Sequence, residues 1–160
     1  MKVLSTGVDT LNLAARGVVW REAWELLDEA QQRARHEGDS QPVEFPMTGQ
    51  AFLLKPYGLR GHAYWLTSPD FELILGRSEK FPPVLAQLHS AYMHSMGVDR
   101  ALDLIEALLR HELFEGAYRL NVSRIDVYAD FHGWEPQATD LDRFVSFSRH
   151  RRGLDRKSVV

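Results

Sequence analysis

One short stretch concentrates a cation, two carboxylates and a phenol, among them side chains suited to metal chemistry. In Val122-Ser123-Arg124-Ile125-Asp126-Val127-Tyr128-Ala129-Asp130-Phe131, a period of two puts Val122, Arg124, Asp126, Tyr128 and Asp130 on one side of a β-strand. Ser123, Ile125, Val127, Ala129 and Phe131 fall on the other side and read as a core face. A carboxylate can hold a hard divalent cation, since Mg2+ and Mn2+ favour carboxylate oxygens with one or two further protein ligands. Asp126 and Asp130 are about 13 Å apart by strand rise, too far to share one ion. Either needs help from an adjacent strand. Val84-Leu85-Ala86-Gln87-Leu88-His89-Ser90 also alternates, and Gln87 and His89 supply that help if the two strands pair. The competing reading makes Arg124 and Asp126 an ion pair across neighbouring strands, with no chemistry attached.

Other motifs add little. His132, Trp134 and Glu135 follow the strand in a loop, where functional residues often sit, but the remaining histidines have no ligand-like spacing. Gly58-Leu59-Arg60-Gly61 lacks the spacing and the following helix of a phosphate loop, and no Gly-x-Ser-x-Gly elbow is present. The chain has no cysteine, which removes disulfide scaffolds, zinc ribbons and thiol catalysis and fits a cytoplasmic protein.

The elements that must position these residues follow from periodicity. Residues 8–16 alternate as a strand, with Asp9, Leu11, Leu13 and Ala15 on one side, and Gly17 closes it. Val19, Ala23, Leu26, Leu27, Ala30 and Ala34 recur at helical spacing over 18–37, and Gly38 is placed to stop that helix. Residues 38–50, with Pro42, Pro46 and two glycines, predict a surface loop. Short strands over 51–57, 63–68 and 71–76 with tight connections predict an antiparallel meander, followed by a strand at 84–90. A helical turn ends at Gly97, Asp99 caps a helix through about Phe114 with Leu102, Ile105, Leu108 and Leu109 inward, and 120–131 forms the central strand. A last helix begins near Thr139 or Asp140. The fold class expected is α+β, a mainly antiparallel sheet with helices packed on one face, in a single domain over 1–160.

Composition agrees. With 160 residues, 44% hydrophobic and 26% charged, the chain is long enough for a packed core and shows neither a membrane-length apolar run nor a secretory signal. The net charge of −3 argues against coating nucleic acid by bulk electrostatics. The carboxyl-terminal stretch is the exception. A basic helix and tail over about 140–160 carry Arg143, Arg149, Arg151 and Arg152, candidate DNA contacts or a solvated charge run.

Three segments taken together resemble a known family. Gly7-Val8-Asp9-Thr10-Leu11, then Pro83-Val84-Leu85-Ala86-Gln87-Leu88-His89-Ser90 with Tyr92-Met93 and Gly97, then Ser123-Arg124-Ile125-Asp126-Val127-Tyr128-Ala129-Asp130-Phe131 resemble, in order, the amino-terminal half of the rolling-circle replication initiation factors of plasmids and phages. The resemblance implies a relaxase-like antiparallel sheet and a metal-dependent nicking and joining endonuclease whose tyrosine forms a 5′-phosphotyrosyl link while Mg2+ or Mn2+ polarises the phosphate. It implies Asp126 as metal ligand with His89, Gln87 or Asp130 assisting, and Arg124 as phosphate contact. In that family the nucleophilic tyrosine follows further strands, and the last tyrosine here is Tyr128, inside the strand. The expectation is therefore a truncated or repurposed relative that binds single-stranded or hairpin origin DNA without nicking it. The alternative is a phage- or plasmid-encoded inhibitor that binds a host protein on the same scaffold.

Overall fold

The computed structural model describes residues 2–133. Arg143, Arg149, Arg151 and Arg152, with the expected last helix, lie outside the described residues. The chain divides into two compact units, Thr6–Tyr128 and a second comprising residues 1–5 and 129–160. Among the described residues the second contributes only the ends of two strands.

Among the described residues seven strands form one sheet in the order β2-β3-β4-β5-β6-β1-β7. β2 (Gln41–Phe45), β3 (Gln50–Leu54), β4 (Tyr64–Thr67), β5 (Phe71–Leu75) and β6 (Val84–Leu88) make the antiparallel meander. β1 (Lys2–Arg16) pairs antiparallel with β6, and β7 (Arg119–His132) is added outside β1. The expected α+β class, an antiparallel sheet with helices, is the observed one.

Alternation along the strands builds the core. Leu11, Leu13 and Ala15 of β1 stand opposite Leu88, Ala86 and Val84 of β6, which stand opposite Phe71, Leu73 and Leu75 of β5, and all nine are buried in one cluster. Helix α1 (Arg21–Glu37) covers this side with Ala23, Leu27 and Ala30. Five strand spacings separate β1 from β2, about 24 Å, and a 17-residue helix is about 26 Å long, so α1 alone can carry the chain back across the sheet. Gly38 ends it in the left-handed conformation (φ 74°), as its position in the sequence predicts.

α2 (Ser90–Met96) and α3 (Val98–Leu108) complete the layer through Met93, Ala101, Ile105 and Leu108. Gly97, not Asp99, occupies the N-cap position of α3, and Asp99 sits in its first turn, where its charge favours the helix dipole. The helix does not run on to Phe114. From Leu109 to Leu113 it widens into a π-helical turn that keeps Leu109 and Leu113 in the core while the Glu112 carboxylate accepts a hydrogen bond from Thr48 N at 2.6 Å.

Two further expectations fail. Residues 38–50 are not all loop, because Gln41–Phe45 is β2, with Val43 and Phe45 buried. Its proline is tolerated because β2 ends the sheet, and an edge strand has one row of amides that needs no partner. The larger correction concerns β7. It is an edge strand rather than the central one, and Ser123, Ile125, Val127 and Ala129, expected in the core, are exposed, with Ile125 at 54% and Val127 at 75%. No residue of β7 is fully buried, and Phe131 is only half-buried. The packed layer last reaches this part of the chain at Tyr118 and Leu120.

One polar cluster fastens α1 to the meander. Asp28 of α1 accepts hydrogen bonds from the Tyr64 hydroxyl of β4 and, at 2.6 Å, from Arg77 Nη2, and the Arg77 guanidinium lies 4.9 Å over the Trp24 ring. These donors hold the Asp28 carboxyl below its ordinary range, Arg77 first. Burial, then the Asp28 hydrogen bond, push the Tyr64 phenol up to about 12. A folded-state value above the ordinary 10.0 means that this contribution to stability is full below pH 10 and is lost as pH rises through about 12. Ultraviolet difference titration of the folded protein is expected to find a tyrosine ionising near pH 12. Tyr64→Phe is expected to remove that step and to lower stability at neutral pH by about 1 kcal/mol. A tyrosine spectrum completing near pH 10 with the fold intact would contradict the cluster.

Candidate site on the sheet face opposite the described helices

The residues between the core positions of β1, β5 and β6 must point to the other face of the sheet. In register across three strands stand Asn12, Gln87 and Glu72, and next to them Ala14, Leu85 and Ile74. Helices therefore cover one side, and a polar row crosses the other. Glu72 is the most engaged member. Trp65 Nε1 donates to its Oε2 at 3.2 Å, and His89 Nε2 lies 4.0 Å from its Oε1. The other His89 nitrogen, Nδ1, faces the Pro69 carbonyl at 3.0 Å, an acceptor only, so Nδ1 carries the proton and Nε2 is the atom turned toward Glu72.

A small cleft lies at this row, with Asn12, Gln87, Ser123 and Arg60 among its lining residues beside Leu13, Ile74, Leu85 and Ala86. Ser123 donates to the Asn12 carbonyl at 3.1 Å, joining β7 to β1 there. Asn12 Oδ1 is buried and accepts no hydrogen bond among the described residues. Arg60 is the one described non-glycine residue with a positive φ, 53°. A left-handed arginine costs about 1 kcal/mol or more and persists only where its surroundings impose it.

Those surroundings are explicit. The buried His62 ring places its nitrogens 3.3 Å from the Arg60 carbonyl and 3.0 Å from the Pro82 carbonyl, and Gln31 of α1 donates to the Ala63 carbonyl. At Gly58 the backbone passes so close that a Cβ would sit 1.9 Å from the His62 carbonyl oxygen. The turn holding Arg60 over the sheet is thus clamped from three directions. The local sequence marks Gly58-Leu59-Arg60-Gly61 as a turn without phosphate-loop spacing and gives no sign of the contacts that fix Arg60.

The metal set expected around Asp126 is not brought together. β1 lies between β6 and β7, so Gln87 and His89 are two strand spacings, about 10 Å, from the strand of Asp126. Asp126 is instead chelated along its own strand by Arg124, Nε to Oδ1 at 3.2 Å and Nη2 to Oδ2 at 2.6 Å. Arg124 beside it holds the Asp126 carboxyl below its ordinary range, with Thr10 adding a hydrogen bond and burial opposing. Asp130 belongs to the second unit and is exposed. No three His, Asp or Glu side chains converge among the described residues, and the donors around Asp126 do not fit a divalent cation. The ion-pair reading of Arg124 and Asp126 is the observed one, within a strand rather than across two.

A larger concavity, about 540 Å³, lies on the helix side between α1, the turn after β2 and the π-helical turn, with apolar walls from Trp20, Leu26, Phe45 and Met47. Its buried carboxylate, Glu112, is already taken by Thr48. Among the described residues no helix is long and apolar enough to cross a membrane.

Gly58→Ala is expected to destabilise the protein by about 2–3 kcal/mol, the upper range for forced overpacking, because backbone rather than a flexible side chain stands in the way. Denaturant unfolding checks this, and a loss below about 0.5 kcal/mol would mean that the clamp on Arg60 is loose.

The chain matches no family model, no curated protein and no solved structure in the comparisons made with each.

Proposed function

We propose that the chain is a DNA-binding domain of the replication-initiator type that grips a single strand on the sheet face opposite the described helices and does not nick it. The observation that carries this reading is the cleft in which Arg60, Asn12, Gln87 and Ser123 converge. Arginine, asparagine, glutamine and serine are the side chains that contact phosphate and sugar oxygens, and such contacts position a strand without reading its sequence. The backbone of Arg60 is fixed by a buried histidine and a glycine that admits no side chain, so the main chain need not be ordered when the side chain meets a phosphate. The likeness of Ser123-Arg124-Ile125-Asp126 to the initiator strand supports the same assignment, and Ser123 is the residue of that strand that reaches the cleft. With a net charge of −3, binding rests on these local contacts rather than on a general positive field.

A second reading, capture of a host protein, is favoured by the apolar concavity beside Trp20 and Met47, where Met47 is 75% exposed. The two readings part in one experiment. Fluorescence anisotropy with a single-stranded or hairpin oligonucleotide at low salt, without divalent metal, is expected to show binding. Arg60→Ala is expected to weaken it about tenfold and to flatten the salt dependence by about 0.7 in log–log slope, one phosphate contact. Met47→Ala is expected to leave it unchanged. No binding by the unaltered protein, or equal loss in both variants, would overturn the DNA reading.

A further inference from the structure

The edge of the sheet carries a second surface. β7 is the last strand, and no described strand pairs with its outer side. A long edge strand offers a row of free amides and carbonyls to any strand that can align with it, and proteins usually blunt such edges with unpaired charge, proline or brevity. From Val122 to Tyr128 β7 has no proline, and it exposes Val122 at 57%, Ile125 at 54% and Val127 at 75%. Its one cation and one anion over that span, Arg124 and Asp126, neutralise each other.

The spacing of those two charges is self-complementary. When two copies of an antiparallel strand meet about a two-fold axis at Ile125, residue 124 of one stands opposite residue 126 of the other, and the reverse. Side chains in opposite positions share a face with Cβ atoms about 5 Å apart, and opposite charges there attract while like charges repel. Arg124 then meets Asp126 of the second copy twice over, Ile125 meets its own counterpart, and Val127 covers Ser123. A slip by two residues either way sets Asp126 against Asp126 or Arg124 against Arg124, and a slip by one leaves both charges without an opposite partner. The charge pattern thus selects one register out of its neighbours.

We infer that β7 is a homodimerisation edge, at which a second copy of this chain adds its own β7 antiparallel about Ile125 and extends the sheet. The intrastrand Arg124 to Asp126 pair of the single chain is exchanged for two pairs between copies, so charge is kept neutral while Val122, Ile125 and Val127 leave water. The interface is isologous, as expected of a two-fold dimer. It shares Ser123 with the cleft, since Val127 of the second copy stands opposite that residue, while Asn12, Arg60 and Gln87 belong to other strands and the turn after β3.

The test uses the full chain and charge exchange. Sedimentation equilibrium from about 10 μM to 1 mM covers the range expected of a small, transient interface. The unaltered protein is expected to dimerise, and Arg124→Asp and Asp126→Arg each to weaken association at least tenfold, since like charges then face each other. An equimolar mixture of these two variants is expected to restore it as a heterodimer, and the double exchange in one chain to restore the homodimer. Arg124 is exposed and Asp126 half-buried on an edge, with neither in the core cluster, so circular dichroism is expected to find all variants folded. A monomer throughout the range, association unchanged by the single exchanges, or failure of the mixture to recover would each overturn the inference.

Discussion

The structure depends on the alternation of β1. That strand is the only described one paired on one side with the meander and on the other with β7. Every second residue from Leu11 to Ala15 enters the core, so Asn12 and Ala14 have no choice but the opposite face. A shift of one residue would move three buried side chains into water and put Asn12 beneath the helices. The same constraint that stabilises the core therefore sets Asn12 beside Gln87 and brings Ser123 to the rim of the cleft.

The second constraint is the fastening of the turn at Arg60. It is tied from α1 by Gln31 and from the segment before β6 by the contact of His62 with Pro82, so it links the helix layer to the far face of the sheet. The cluster of Asp28, Tyr64 and Arg77 fixes the same helix to the same hairpin region one step away. Both devices spend buried or half-buried polar groups on position, and the position they define is that of a cation over a polar row.

Much of the fold was legible because core strands and amphipathic helices announce themselves by period. Leu11 and Leu13, the α1 stripe, Gly38 and the meander strands were read correctly from spacing. β2 was missed because Pro42 reads as a breaker unless the strand is known to be an edge, and edge position is a property of the whole sheet. The same gap in knowledge misplaced β7. Its alternation was read correctly, but alternation says only that two faces differ, not that either is covered, and no described helix buries Ile125 or Val127. Around the site, Gln87 and His89 were chosen from their side of β6, yet their neighbour is β1 and not β7, because strand order is long-range information that local pattern does not carry. Arg60 gave no signal at all, since its placement depends on a backbone conformation enforced by residues far along the chain.

The central claim, that Arg60 and the polar row form one strand-binding surface, is tested most directly by following side-chain amide and guanidinium resonances during titration with an oligonucleotide. The account predicts that the Asn12 and Gln87 amides and the Arg60 guanidinium shift first and most, while Trp20 and Met47 stay in place. Shifts confined to the concavity around Trp20 and Met47, or none at a concentration where the oligonucleotide binds, would contradict it.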